Sequence, residues 1–169
     1  MAKRLKSEKI SHIFASPFLR TIQTANEVAE VLDLPIKLEA GLSEWLNPEW
    51  MTETPKIHSQ EEFSMQYSRI DWSYDSRIIP KYPETRAMVN HRCSQTVKIL
   101  VQEFKEDILL LGHGASVVGT TTGLIGENQV INASLCCLVK VVKNAQKWNL
   151  ELNGDTSHLS QPQDKIRFN

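Results

Sequence analysis

A three-layer α/β/α sandwich is the architecture predicted by this 169-residue chain. Two helical stripes alternate with short apolar runs, the order expected of helices packed on a parallel sheet. The run Asp107-Ile-Leu-Leu-Leu111 is apolar after its first residue, as a strand buried on both faces requires. Leu135–Val142 and Trp148–Leu152 read as an antiparallel hairpin that closes the order.

Residues 2–9 read as the last two turns of a helix with no N-cap, running into a short buried strand at Ile10–Ala15. Ser16-Pro17 then opens a helix, because Ser is a favoured N-cap and Pro suits the first helical position. Leu19, Ile22, Ala25, Val28, Ala29 and Leu32 keep helical spacing to about Leu34, where Pro35 blocks continuation. Ile36–Leu38 predicts a strand, and Gly41–Trp45 turns out of it. Residues 46–82 differ: they carry Trp50, Tyr67, Trp72, Tyr74 and Tyr82, with Pro48, Pro55 and Pro80, and show weak periodicity. So long a stretch without clear elements predicts a functional insertion such as a lid. Pro83-Glu84-Thr85 begins a second long helix, with Val89, Cys93, Val97, Leu100, Val101 and Phe104 on one stripe. After the strand at 107–111, residues 115–125 form the next helix. The hairpin turns across Lys143–Gln146, and the polar tail from about 154 to 169 is expected to be loose. One domain, 1–169, accommodates all of this. The order contains an anomaly, because the first full helix lacks the preceding strand that such folds supply. The chain reads as though it starts one element late.

Apolar residues make up 41% and charged residues 23%, which places the chain among globular proteins and excludes disordered and fibrous classes. A net charge of −1 gives no basic field, so a nucleic-acid partner is not expected and any anion site must be local. Nothing approaches the roughly 18 consecutive apolar residues of a membrane span, so no membrane partner is expected. The cationic N-terminus lacks the apolar stretch of a secretory signal. Cys93, Cys136 and Cys137 lack metal-ligand spacing and read as free thiols in a reducing, cytoplasmic setting. Neither cofactor nor metal is expected.

Three places carry chemistry. In Ser16-Pro17-Phe-Leu-Arg20-Thr-Ile-Gln23-Thr24-Ala25, the strand-to-helix junction offers free backbone N–H groups, and the helix dipole favours an anion there. Arg20, about one turn in, can fold back and grip phosphate through its planar fork. Taken alone, the same residues also describe a capped helix with a solvated arginine. Leu111-Gly112-His113-Gly114 puts a histidine at the C-terminal end of a strand, where open α/β sheets bind ligands, and the glycines permit close approach. Glu44 precedes Trp45 at another strand exit, and an aromatic wall that desolvates a carboxyl group suits a general acid. All three follow strands.

At these residues the chain resembles the histidine-phosphatase (phosphoglycerate-mutase-like) superfamily. Residues 16–25 match its Ser-Pro-x-x-Arg-x-x-Gln-Thr-Ala signature at every fixed position. His113-Gly114 matches the later strand-His-Gly element, and Glu44 matches the family's acid. Pro83-Glu84-Thr85 with Arg92 resembles the Pro-x-Glu-Ser/Thr helix start with its downstream arginine. Glu44-Trp45 and the region from Ile70-Asp71 to Pro83 look most like the branch containing the suppressor-of-T-cell-signalling phosphatases. The resemblance covers about residues 4–150 and implies a phosphoglycerate-mutase-like fold. It further implies that Arg20 and His113 bind the transferring phosphoryl group of a small phosphomonoester, with Ser16 and Gly114 lining the phosphate site. Glu44 would protonate the leaving oxygen. The implied chemistry is a metal-free two-step transfer through a phosphohistidine.

The family begins with a strand ending in Arg-His-Gly, whose histidine is the nucleophile, and that tripeptide is absent here. His12, His58, His91 and His158 do not follow a strand with glycine behind them. Loss of about five buried apolar side chains at ~1.5–3 kcal/mol each removes on the order of 10 kcal/mol. Two exposed sheet edges would result, predicting instability, or a homodimer through those edges. Two functions follow from these expectations: a shortened phosphatase or mutase domain, inactive alone, and a non-catalytic phosphate-binding or interaction protein. A plain structural α/β module would leave the signature to chance.

Overall fold

Alternation along one strand sorts the core into two layers. In β1 (Ile10–Ala15), Ile13 and Ala15 pack to one side with α1 (Ala2–Leu5) and α2 (Leu19–Leu32), while Phe14 faces the other side toward Leu42 and Leu100. A computed structural model describes residues 1–57 and 60–160. β2 (Ile36–Leu38) and β3 (Asp107–Leu111) flank β1 in a parallel sheet of order β2-β1-β3. In β3, Leu109 and Leu111 join the α2 side, whereas Ile108 and Leu110 join the side covered by α4 (Arg86–Glu103). A period of two on the strands with helices on both faces is the predicted three-layer sandwich. Ala15 pairs with both Leu38 and Leu111, so all three strands end level and deliver Ser16, Glu39 and Gly112 to one edge.

Several elements depart from their sequence expectation. α1 is a single short helix, held by buried Leu5, rather than two turns reaching residue 9. α2 begins at Leu19 with Phe18 as N-cap, because Phe18 stays extended (φ −74°, ψ 137°) and Thr21 Oγ1 donates to the Ser16 and Phe18 carbonyls. The Ser16 hydroxyl accepts a long contact from Phe18 N (3.4 Å) and has room for a second partner. α2 ends where Asp33 turns left-handed (φ 54°), ahead of Pro35. β3 was expected to be buried on both faces, yet it is an edge strand, and Ile108, Leu109 and Leu110 are only half-buried. The hairpin β4 (Leu138–Asn144) and β5 (Lys147–Asp155) forms its own two-stranded sheet beside α5 (Gly114–Ile125) and does not extend the first. Its turn is also tighter than expected, with Asn144 paired to Lys147. Gly154 and Asp155 belong to β5 rather than to the tail; residues 161–169 and His58 lie outside the described residues.

The insertion between β2 and α4 holds α3 (Gln60–Ser64) and otherwise irregular chain. It is anchored by Glu39, whose fully buried carboxylate accepts from Gly41 N, Tyr74 Oη, Arg77 N and Ile78 N. Ile70 bridges to Ile36, and Phe63 and Tyr67 complete the α2-side core. Thr85 caps α4 by accepting from Met88 N, so the helix proper starts at Arg86, just after the Pro83-Glu84-Thr85 start read from the sequence.

Candidate functional site

The level strand ends bring the predicted residues together. His113 caps α5 directly after β3, and its backbone is locked by Ser116: His113 N donates to Ser116 Oγ (2.7 Å), which donates back to His113 O (2.9 Å). Gly112 is required for that lock, because a Cβ there would collide with Ser116 Oγ. The His113 ring is then held on three sides. Its Nε2 lies 2.9 Å from Ser16 Oγ, its Nδ1 lies 2.8 Å from Arg20 Nη2, and Phe18 meets it edge-on at 5.0 Å between centroids. The Arg20 guanidinium sits over Phe18 (5.0 Å) and also reaches Glu44 Oε2 (3.2 Å). Gly114, the first residue of α5, is buried beneath. Ser16, Arg20, Glu44 and His113 therefore share one neighbourhood, as their positions after strands predicted.

Proton positions follow from the donors. Arginine can only donate, so Arg20 at Nδ1 requires a lone pair there, and the proton sits on Nε2 and points to Ser16 Oγ. Burial together with the Arg20 and Arg92 charges pushes the His113 pKa down to about 3. Glu44 Oε2 also approaches Nδ1 at 3.4 Å, which would be an ion pair only with a charged imidazole. The neutral ring is the consistent state, and both acceptors share the Arg20 guanidinium. The His113 side chain is only 3% accessible, whereas that of Arg20 is 58% accessible. Arg20 is thus the group free to swing toward a solute while His113 stays fixed. The arrangement offers the cationic N–H donors of Arg20 to an oxyanion, beside a carboxyl group that can exchange a proton.

Behind Glu44 lies a buried pair whose role in the site did not emerge from the sequence. Arg92 on α4 spends every guanidinium N–H: Nε and Nη2 on Glu84 (2.6 and 2.7 Å), Nη1 on the Gly41 and Ser43 carbonyls, Nη2 on the Glu44 carbonyl. The signal available was Glu84 and Arg92 eight residues apart around a helix start. Trp45 donates its backbone N–H to Glu44 Oε1 (3.0 Å) and its indole N–H to Glu84 O (2.8 Å), while its ring packs on Trp50 and the α4–α5 cluster.

A profile of the histidine phosphatase superfamily (branch 1) matches residues 1–156. The chain belongs to that superfamily. Among curated relatives, the human ubiquitin-associated and SH3 domain-containing protein A is 32% identical over 130 residues, covering 70% of this chain and 19% of that protein. The Saccharomyces cerevisiae transcription factor tau 55 kDa subunit is 26% identical over 191 residues, covering 89% of this chain and 44% of that protein. The chain therefore spans less than half the length of these relatives. Among solved structures, the ecdysone phosphate phosphatase of Bombix mori in complex with tungstate superposes with a TM-score of 0.71 at 17% identity. That match covers 99% of this chain and 72% of that one, and it shows the shared phosphoglycerate-mutase-like fold. No helix among the described residues is long and apolar enough to cross a membrane.

Proposed function

We propose that this chain forms the phosphate-holding part of a phosphomonoester phosphatase or mutase working through a phosphohistidine, and that the accepting imidazole comes from outside these 169 residues. The observation that carries this reading is the hydrogen-bonded chain that joins Ser16 to His113, His113 to Arg20 and Arg20 to Glu44. Arg20 swings from Nδ1 to a phosphoryl oxygen; with Nδ1 vacated, Ser16 Oγ donates to Nε2 and His113 donates from Nδ1 in the other tautomer, while Ser16 and Gly114 line the floor. In the first step the incoming imidazole bonds to phosphorus as the phosphorus–oxygen ester bond breaks, and Glu44 delivers its proton to the leaving oxygen. Water then hydrolyses the phosphohistidine, with Glu44 taking the proton back. His113 is not that nucleophile in this reading, because with phosphate bound its Nδ1 carries the proton and its Nε2 is held by Ser16. The open edge of β3 beside the site supports a strand supplied from elsewhere, and a second copy of the chain is the competing occupant. Free Cys93, Cys136 and Cys137 fit a reducing compartment such as the cytoplasm.

A second reading, a non-catalytic phosphate-binding or interaction protein, draws on the similarity to the tau 55 kDa subunit across 89% of this chain. Hydrolysis of p-nitrophenyl phosphate separates the two. The first reading expects no turnover by this chain alone. It expects turnover by the chain joined to an Arg-His-Gly strand, lost on Arg20→Ala or His113→Ala. Turnover by this chain alone, sensitive to the same substitutions, refutes an external nucleophile; no turnover with the strand present leaves the second reading.

A further inference from the structure

The insertion leaves and re-enters the fold at one point. Leu46 O accepts from Glu84 N (2.9 Å), and Leu46 N donates to Glu84 Oε2 (3.1 Å). Glu44 lies two residues before that neck, and the Glu84–Arg92 pair grips the chain on either side of it. Arg92 holds the carbonyls of Gly41, Ser43 and Glu44, while the Glu84 carboxylate accepts from Leu46 N and its backbone carbonyl accepts from Trp45 Nε1. Both side chains are about 95% buried and have no solvent-facing role. Burying an ion pair for stability alone is a poor use of it, since apolar residues of equal volume commonly do as well. A pair that meets the guanidinium's full donor set with backbone carbonyls of one turn is suited instead to fixing that turn.

We propose that Glu84 and Arg92 are positioning residues that set the distance of the Glu44 carboxylate from Arg20 and His113. The proposal deepens the functional reading, in which Glu44 is the proton donor. Lysine at position 92 has three donors, so Arg92→Lys must release part of the turn while keeping the charge. The Glu44 carboxylate would then sample positions away from Arg20 Nη2, now at 3.2 Å, and from His113 Nδ1, now at 3.4 Å.

The Trp45 backbone amide reports directly on Glu44 through its 3.0 Å hydrogen bond to Oε1. Its proton shift should be followed by two-dimensional NMR on the full chain without ligand as acid is added. In the wild type the shift should follow Glu44 ionisation, and in Glu44→Gln that titration should vanish, which separates it from His113. In Arg92→Lys the amplitude should fall at least twofold, with circular dichroism unchanged. Glu84→Gln with Arg92→Gln, a neutral pair able to keep hydrogen bonds, serves if the lysine variant unfolds; it too should show the reduced amplitude. An amplitude equal to wild type in a folded variant overturns the proposal. Inorganic phosphate titrated into the wild-type chain tests the functional reading separately: absence of binding defeats that reading, while the amide titration still decides the positioning role.

Discussion

Acidification should cost this protein stability through one imidazole. In the unfolded chain His113 titrates near its ordinary value of about 6.5, and in the fold burial and two arginines push it down to about 3. A histidine held neutral is stabilising above its unfolded pKa, and that stability is lost as pH falls from about 6.5 toward 3, where the unfolded chain binds the extra proton. Each pH unit inside the window corresponds to about 1.4 kcal/mol, so going from pH 7 to pH 5 removes about 2 kcal/mol. His113→Gln can keep an acceptor for Arg20 and a donor for Ser16 without titrating. Urea denaturation at both pH values therefore isolates the effect. The wild type should lose about 2 kcal/mol more between pH 7 and pH 5 than the glutamine variant. Lowered carboxyl groups such as those of Glu8, Asp71 and Asp155 also lose stability in acid, but equally in both proteins, so they cancel in the comparison. Equal losses in the two proteins would refute a buried neutral His113.

Other outcomes follow from single contacts. Gly112→Ala should disorder the Ser116 lock on His113 and weaken inorganic phosphate binding roughly tenfold, about 1.4 kcal/mol, as read by calorimetry. Glu39→Ala should destabilise by about 3–5 kcal/mol, because it strands buried donors from Gly41, Tyr74, Arg77 and Ile78. Limited proteolysis near Arg77 should accelerate in the same variant. Phe14→Ala, which empties the contact between β1 and α4, should cost about 3–5 kcal/mol in thermal or urea unfolding.

The site was more legible in the sequence than the sheet around it. Ser16, Arg20, Glu44 and His113 could be read because each follows a strand end, and a parallel sheet gathers strand ends at one edge. The start of α2 was misplaced because Ser16-Pro17 carries a sound capping signal, which Thr21 and the Ser16–His113 contact override. The burial of β3 was overstated because an apolar run records what a strand can bury, not whether a neighbour arrives to bury it. Glu39 went unread because a lone glutamate after a short strand looks like surface; three of its four named donors come from residues 74–78, distant in sequence and without periodic pattern. The Glu84–Arg92 pair was visible as a spacing, but its grip on residues 41–46 is a tertiary fact.

In the proposed function Arg20 and His113 act on one oxyanion. Isothermal titration of inorganic phosphate into the wild-type chain and into Arg20→Lys tests it most directly. One phosphate should bind per chain, with affinity at least about tenfold weaker once the planar fork is replaced by an ammonium. Equal affinities in the two proteins, or no binding to the wild type, would contradict the account.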